Sequence, residues 1–137
     1  MNIVFSSDKK EYNTIKKGTE ILLAENDGFN QNIELSVEFQ DRPEILINKR
    51  KNQIHIICRE ISHYYRALNY AIHHMEEDEF QYREHVCFER NGLMLDCSRN
   101  AVFTVEKVKF LIKTLAKLGM NVLMLYTEDT YEVAGNG

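Results

Sequence analysis

NGLMLDCSRNAVFTVEKVKFLIKTLAKLGMNVLMLYTEDTYEV, residues 91–133, reads as a strand, an amphipathic helix and a second strand in close succession. Leu93-Met94-Leu95 is uniformly apolar, the pattern of a parallel strand covered on both faces. Thr104 is placed to cap the helix. Val105, Val108, Ile112, Leu115 and Leu118 fall on one helical face, Lys107, Lys109, Lys113 and Lys117 mostly avoid it, and Gly119 supplies the left-handed stop. Val122 to Tyr126 then forms the next buried strand. This β-α-β succession is the repeat of a βα barrel. Its strands end in Asp96-Cys97-Ser98-Arg99 and Thr127-Glu128-Asp129, and α/β folds place their ligands at the carboxyl ends of strands.

Upstream the pattern changes. Residues 2–5 form a short strand, and Asp8 with Glu11 has the form of a capping box for a helix running from Lys9 to Glu25. Tyr12, Ile15, Thr19, Leu22 and Leu23 give that helix its period, and Asn26-Asp27-Gly28 its stop. Ile33, Leu35, Val37 and Phe39 alternate with Glu34, Ser36 and Glu38, as in a strand with one wet face. Ile45-Leu46-Ile47 and Ile54-His55-Ile56-Ile57 flank NKRKNQ, which reads as a hairpin with a basic, solvated turn. Ser62 is then a cap for a helix with Tyr65, Leu68, Ile72 and Met75 on its apolar face. The acidic run Glu76-Glu77-Asp78-Glu79 opposes a helix carboxyl end and is assigned to a linker, with Phe80 to Phe88 a connecting segment, extended in part.

The expected fold class is therefore α/β: a small α+β N-terminal domain (β-α-β-β-β-α, residues 1–87) followed by the first β-α-β of a truncated TIM barrel (residues 88–137). A stand-alone βα barrel needs about 250 residues, and this chain has 137. The charge balance changes with the pattern: residues 1–85 hold 11 basic and 15 acidic residues, and 86–137 hold 6 and 6.

Hydrophobic residues at 44% and charged residues at 28% are ordinary globular values, so a folded core is expected. A net charge of −4 without a basic run argues against nucleic acid as a partner. No apolar run approaches the length needed to span a bilayer, and MNIVFSSDKKEYN lacks the form of a secretion signal, so the expectation is no membrane partner and a cytoplasmic location. Cys58, Cys87 and Cys97 are an odd set without a C-x-x-C pair, which reads as unpaired thiols.

At Gly92 to Arg99 (G-L-M-L-D-C-S-R), the following helix and Asn121-Val122-Leu123, the chain resembles the start of the catalytic barrel of glycoside hydrolase family 20, the β-N-acetylhexosaminidases. QIHIICREISHYYRALNYAIHHM, residues 53–75, resembles the last strand and helix of the small α/β domain that precedes that barrel. The resemblance implies exo-acting hydrolysis of terminal N-acetylhexosamine in which the sugar's own acetamido oxygen attacks, an exception to the two-carboxylate scheme. It implies no cofactor. It maps the family's D-x-x-R motif onto Asp96 and Arg99, the arginine gripping hydroxyls of the terminal sugar, and implies amino-sugar glycans as partners of the complete enzyme. The family's adjacent aspartate and glutamate come from a later strand than those present, so no catalytic residue is assigned here and the fragment alone is expected to be inactive. Leu125-Tyr126-Thr127-Glu128-Asp129 departs from the histidine-containing segment of many members and looks like a divergent bacterial branch.

Arg99 suits hydroxyl recognition physically, since its planar fork of donors engages two neighbouring oxygens at once. The bland reading is a local ion pair with Asp96, which is expected to brace the loop or Arg99. Asp129 and Tyr126 are weaker candidates, as a rim contact and a stacking surface for sugar. Glu128-Asp129 imitates a catalytic dyad, but in reversed order and on the wrong strand. His63 and His74 share a helix face, yet no spacing typical of zinc is present, and no metal site is expected. The rival reading is a non-catalytic α/β module that binds a partner or carbohydrate. Unpaired barrel strands, Val122 to Tyr126 above all, also make self-association an expectation.

Overall fold

A computed structural model describes residues 2–3, 9–25, 33–98 and 102–128. Strands β1 (Asn2–Ile3), β2 (Glu34–Phe39), β3 (Glu44–Arg50), β4 (Gln53–Cys58) and β5 (Glu79–His85) form one sheet in the order β1-β2-β4-β3-β5, with helices α1 (Lys9–Ala24) and α2 (Ile61–His73). Strands β6 (Gly92–Asp96) and β7 (Val122–Tyr126) pair in parallel around helix α3 (Val105–Lys117). The chain is thus a mixed α/β fold with two separate sheets.

In the larger sheet β1, β2 and β4 run parallel, and β3 is antiparallel to both β4 and β5. The neighbour of β2 is consequently β4, with Leu35 beside Ile54 and Val37 beside Ile56. The hairpin between β3 and β4 is tighter than NKRKNQ indicates: only Lys51 and Asn52 turn, and Lys51 takes a φ of 51° to do so. Lys49, expected in a solvated turn, instead points inward with Ile45 and Ile47. It is 3% exposed, and its amine donates to the Glu77 carbonyl.

Both helices cover one face of this sheet. Leu35, Val37, Ile45, Ile47, Ile54 and Ile56 form a single core with Ile15 and Leu22 of α1 and Tyr64, Ala67, Leu68 and Ala71 of α2. The buried face of α2 is therefore one residue off the expected set, with Tyr65 and Ile72 only half-buried. Ser62 is not the cap: the N-cap is Glu60, and the Ser62 hydroxyl is buried without a hydrogen-bond partner. Where α1 crosses α2, the Thr19 hydroxyl donates to Ile15 O and accepts from the Tyr64 phenol, each at 2.7 Å.

The acidic linker is partly a strand. Glu79 opens β5, and Phe80, Tyr82 and Glu84 alternate inward beside Lys49, Ile47 and Ile45. Tyr70 of α2 stacks on Tyr82 with 3.9 Å between ring centroids, which fixes this edge strand to the helix.

In the second sheet Thr104 caps α3 by accepting from Lys107 N, and Gly119 takes a φ of 73° just beyond the helix, both as expected. The strands are not covered on both sides. Leu95 and Leu115 are buried, but Leu93, Met94, Met124 and Leu125 are exposed, as are Phe110 and Ile112 of α3. Among the described residues every exposed large hydrophobic side chain but Ile21 lies between Phe88 and Tyr126. No described helix is long and apolar enough to cross a membrane.

Candidate functional site

The carboxyl ends of β6 and β7 bring Asp96 and Tyr126 side by side as the last register pair. Cys97 N donates to Tyr126 O at 2.7 Å, which carries the ladder one residue further. Asp96 turns back on its own loop: its Oδ1 accepts from Ser98 N at 2.8 Å and from the Ser98 hydroxyl at 2.5 Å. Such a side-chain to backbone turn is characteristic of aspartate. Tyr126 donates to Glu128 Oε1 at 2.9 Å, and that hydrogen bond, helped by the nearby charge of Asp96, raises the phenol pKa. The result is a rim of carboxylate, hydroxyl and phenol oxygens, suited to ligands rich in hydroxyl donors. Arg99 and Asp129, the other residues singled out from the sequence, lie outside the described residues.

The opposite ends of the same strands meet the larger sheet. A cavity of about 240 Å³ there is lined by His63, Arg66, Glu84, Cys87, Asn91 and Asn121 among others. A neighbouring one of about 510 Å³ shares His63 and Cys87 and adds Arg59, Glu60 and Arg90. Arg66 Nε donates to Glu84 Oε2 at 2.8 Å, Tyr82 donates to the same oxygen at 2.8 Å, and Arg66 Nη1 donates to Leu118 O at 3.1 Å. Burial pushes the Glu84 pKa up, but the hydrogen bonds from Arg66 and Tyr82 outweigh it and hold the carboxyl below the ordinary range. Asn121 bridges the amino ends of both strands, accepting from Asn91 N at 2.9 Å and donating to Glu89 O at 2.8 Å. Lys113 and Lys117 of α3 both pair with Glu25, just beyond the end of α1, at 2.7 and 2.8 Å. In α/β barrels the amino-terminal end of the strands serves stability and the carboxyl end chemistry, so this junction reads as structural.

The histidines do not converge. His63 pairs with Glu60, whereas His74 pairs with Glu77 and stacks on Tyr70. Among the described residues no three His, Cys, Asp or Glu side chains gather as a metal site would require. Ser36, His55 and Glu38 align on the open face of the larger sheet, with Ser36 Oγ 2.8 Å from His55 Nδ1 and His55 Nε2 3.9 Å from Glu38. The last distance exceeds a hydrogen bond, and the row is an exposed cross-strand ladder. None of the three cysteines forms a disulfide. The residues of the junction, Arg66, Glu84, Asn121 and Glu60, carry no motif. Only the charge on an otherwise apolar row at Glu84 marks it in the sequence.

No family model matches the sequence, and no curated protein matches it. Among solved structures the chain is similar to the X-ray structure of the Flavobacterium johnsoniae chitobiase, a family 20 glycoside hydrolase by its name, with a TM-score of 0.53 and 19% sequence identity. The similarity covers 90% of this chain and 23% of the chitobiase chain. It is a likeness of fold, and the chain spans about a quarter of that protein's length.

Proposed function

We propose that the chain is the N-terminal part of an exo-acting β-N-acetylhexosaminidase of family 20, composed of the preceding α/β domain, residues 1–87, and the first β-α-β of the catalytic barrel, residues 88–137. The observation that carries this reading is the parallel β6-α3-β7 unit with apolar side chains uncovered on strands and helix alike. Such strands are buried on both faces in βα barrels, so the uncovered side chains are those that further strand and helix units would cover. The fold likeness to a chitobiase over 90% of this chain adds support.

In this reading the rim at Asp96 and Tyr126 is one edge of the sugar subsite. Arg99 is assigned to hydroxyls of the terminal sugar, Asp96 to its support, and Tyr126 and Asp129 to lesser contacts with the sugar. The sugar's acetamido oxygen attacks the anomeric carbon while an acid on a later strand protonates the leaving oxygen. The polypeptide of 137 residues alone is therefore inert, and its partners, amino-sugar glycans, bind the longer enzyme.

The test is an assay on an aryl β-N-acetylglucosaminide of this polypeptide and of a longer chain carrying the downstream strands. Turnover by the longer chain only is expected, and turnover by the 137-residue polypeptide, or by neither, overturns the reading. In the longer chain Arg99→Ala is expected to raise KM and lower kcat together, by about tenfold or more in kcat/KM, the scale of one charge-assisted hydrogen bond.

A further inference from the structure

His63 lies in the first turn of α2, at the seam between the two sheets, and is 5% exposed. Its Nε2 is 3.1 Å from Glu60 Oε1, and the same oxygen accepts from Asn121 Nδ2 at 3.3 Å. Asn121 in turn holds Asn91 N and Glu89 O. A continuous run of polar contacts thus joins the start of α2 to the amino ends of β6 and β7. Glu60 is an acceptor, so the neutral imidazole carries its proton on Nε2. Nδ1 is then a bare acceptor, buried and without a hydrogen-bond partner.

A second proton would have to sit on that Nδ1, where no described acceptor stands. Burial is the leading influence and holds the imidazole below its ordinary pKa; Glu60 and Glu84 favour the cation, while Arg59 and Arg66 oppose it. Glu84 is committed to Arg66 and Tyr82, and Arg59 to Asp41 at 3.1 Å. The positive end of α2 adds to the opposition. His85, Glu89, Arg90 and Cys87 also line the adjoining cavities.

We propose that His63, Glu60 and Asn121 form a proton-gated latch between the five-stranded sheet and the β6-β7 unit, closed while His63 is neutral and released when its ring takes a second proton. The imidazolium must leave its site to find an acceptor or solvent for Nδ1–H, and Glu60 then loses the partner that orients it toward Asn121. The sign follows: neutral His63 favours the closed joint above the ordinary histidine pKa, and that contribution is lost as pH falls through the lower folded value.

The experiment follows the His63 ring by NMR, together with amide exchange at Asn121 and Val122 corrected for intrinsic rate, on the whole chain between about pH 5 and 8. Protection at these two amides is expected to fall about tenfold or more with the same midpoint as the ring, while Val37 and Ile56 in the main core keep theirs. His63→Gln retains an N–H donor for Glu60 but cannot titrate in this range, and is expected to remove the step. A protection that ignores pH in the wild type, or an identical step in the variant, overturns the proposal. Should the variant not fold, a wild-type exchange midpoint more than about one pH unit from that of the ring does so.

Discussion

Gly92 and Val122 stand opposite one another as the first pair of the β6-β7 ladder, so close that a Cβ on Gly92 would fall 1.9 Å from the Val122 carbonyl oxygen. The obstacle is backbone, which cannot swing aside as a side chain can. Gly92→Ala is expected to force the strands apart and to destabilise by about 3 kcal/mol, the upper end of overpacking costs. Denaturant unfolding measures the loss, and amide exchange should place it in β6 and β7. An unchanged midpoint would show that the strands do not approach so closely.

The hydroxyl pair of Thr19 and Tyr64 is the buried polar link between α1 and α2. Tyr64→Phe removes one hydrogen bond and is expected to cost about 1 kcal/mol, whereas Thr19→Val strands the buried phenol and should cost about 1–3 kcal/mol. The double variant should lose less than the sum. Burial raises the Tyr64 pKa far beyond the ordinary value of 10.0, against a smaller opposing effect of the Thr19 hydrogen bond. The fold therefore keeps the phenol's proton, and its contribution is present below pH 10 and lost as pH rises further. Ultraviolet titration should show Tyr64 ionising only with unfolding.

Arg66 and Glu84 predict acid behaviour at the junction. The Glu84 pKa is lowered in the fold, so its contribution is complete above the ordinary value of 4.5 and disappears as pH falls through the folded one. Glu84→Gln should flatten the decline in stability on the acid side. Arg66→Ala should destabilise by about 1–2 kcal/mol at neutral pH, less than a fully buried pair would, because both partners are partly solvated. It also removes the donor to Leu118 O, so thermal melting followed at α3 should shift more than melting of the main sheet.

The uncovered faces of β6, α3 and β7 predict association of the 137-residue polypeptide on its own. Met94 is 61%, Met124 54% and Leu125 51% exposed, and among the described residues each strand pairs along one edge only. Light scattering should show the apparent mass rising with concentration, and an apolar dye should bind. Met124→Lys with Leu125→Lys should suppress both. A monomer that ignores the dye at high concentration would contradict the proposed barrel origin of this unit as well.

Most of the architecture was legible where periodicity was unmixed. Thr104 and Gly119 bracket α3 because cap and stop chemistry are local, and Leu35 and Val37 mark β2 because alternation there is strict. The strand β5 was obscured by its own charges: Phe80, Tyr82 and Val86 share an inward row, but Glu84 interrupts it and the acidic run before it resembles a linker. Its inward carboxylate makes sense only once Arg66, 18 residues earlier, is seen beside it. Lys49 reads as a turn residue for a similar reason, since nothing near it in sequence announces the Glu77 carbonyl that satisfies its amine. Of the candidate site, the pairing of Asp96 with Tyr126 follows from the parallel register. The attachment of Asp96 to Ser98 and of Tyr126 to Glu128 are side-chain choices that strand patterns do not encode.

The inward position of Lys49 makes it a natural reporter. Its amine is shut beneath the turn that follows α2, so a reagent that acylates amines must wait for that turn to lift. Of the lysines whose side chains are described, Lys49 should label last, and its labelling rate should clock the opening of the helix end without any probe being introduced.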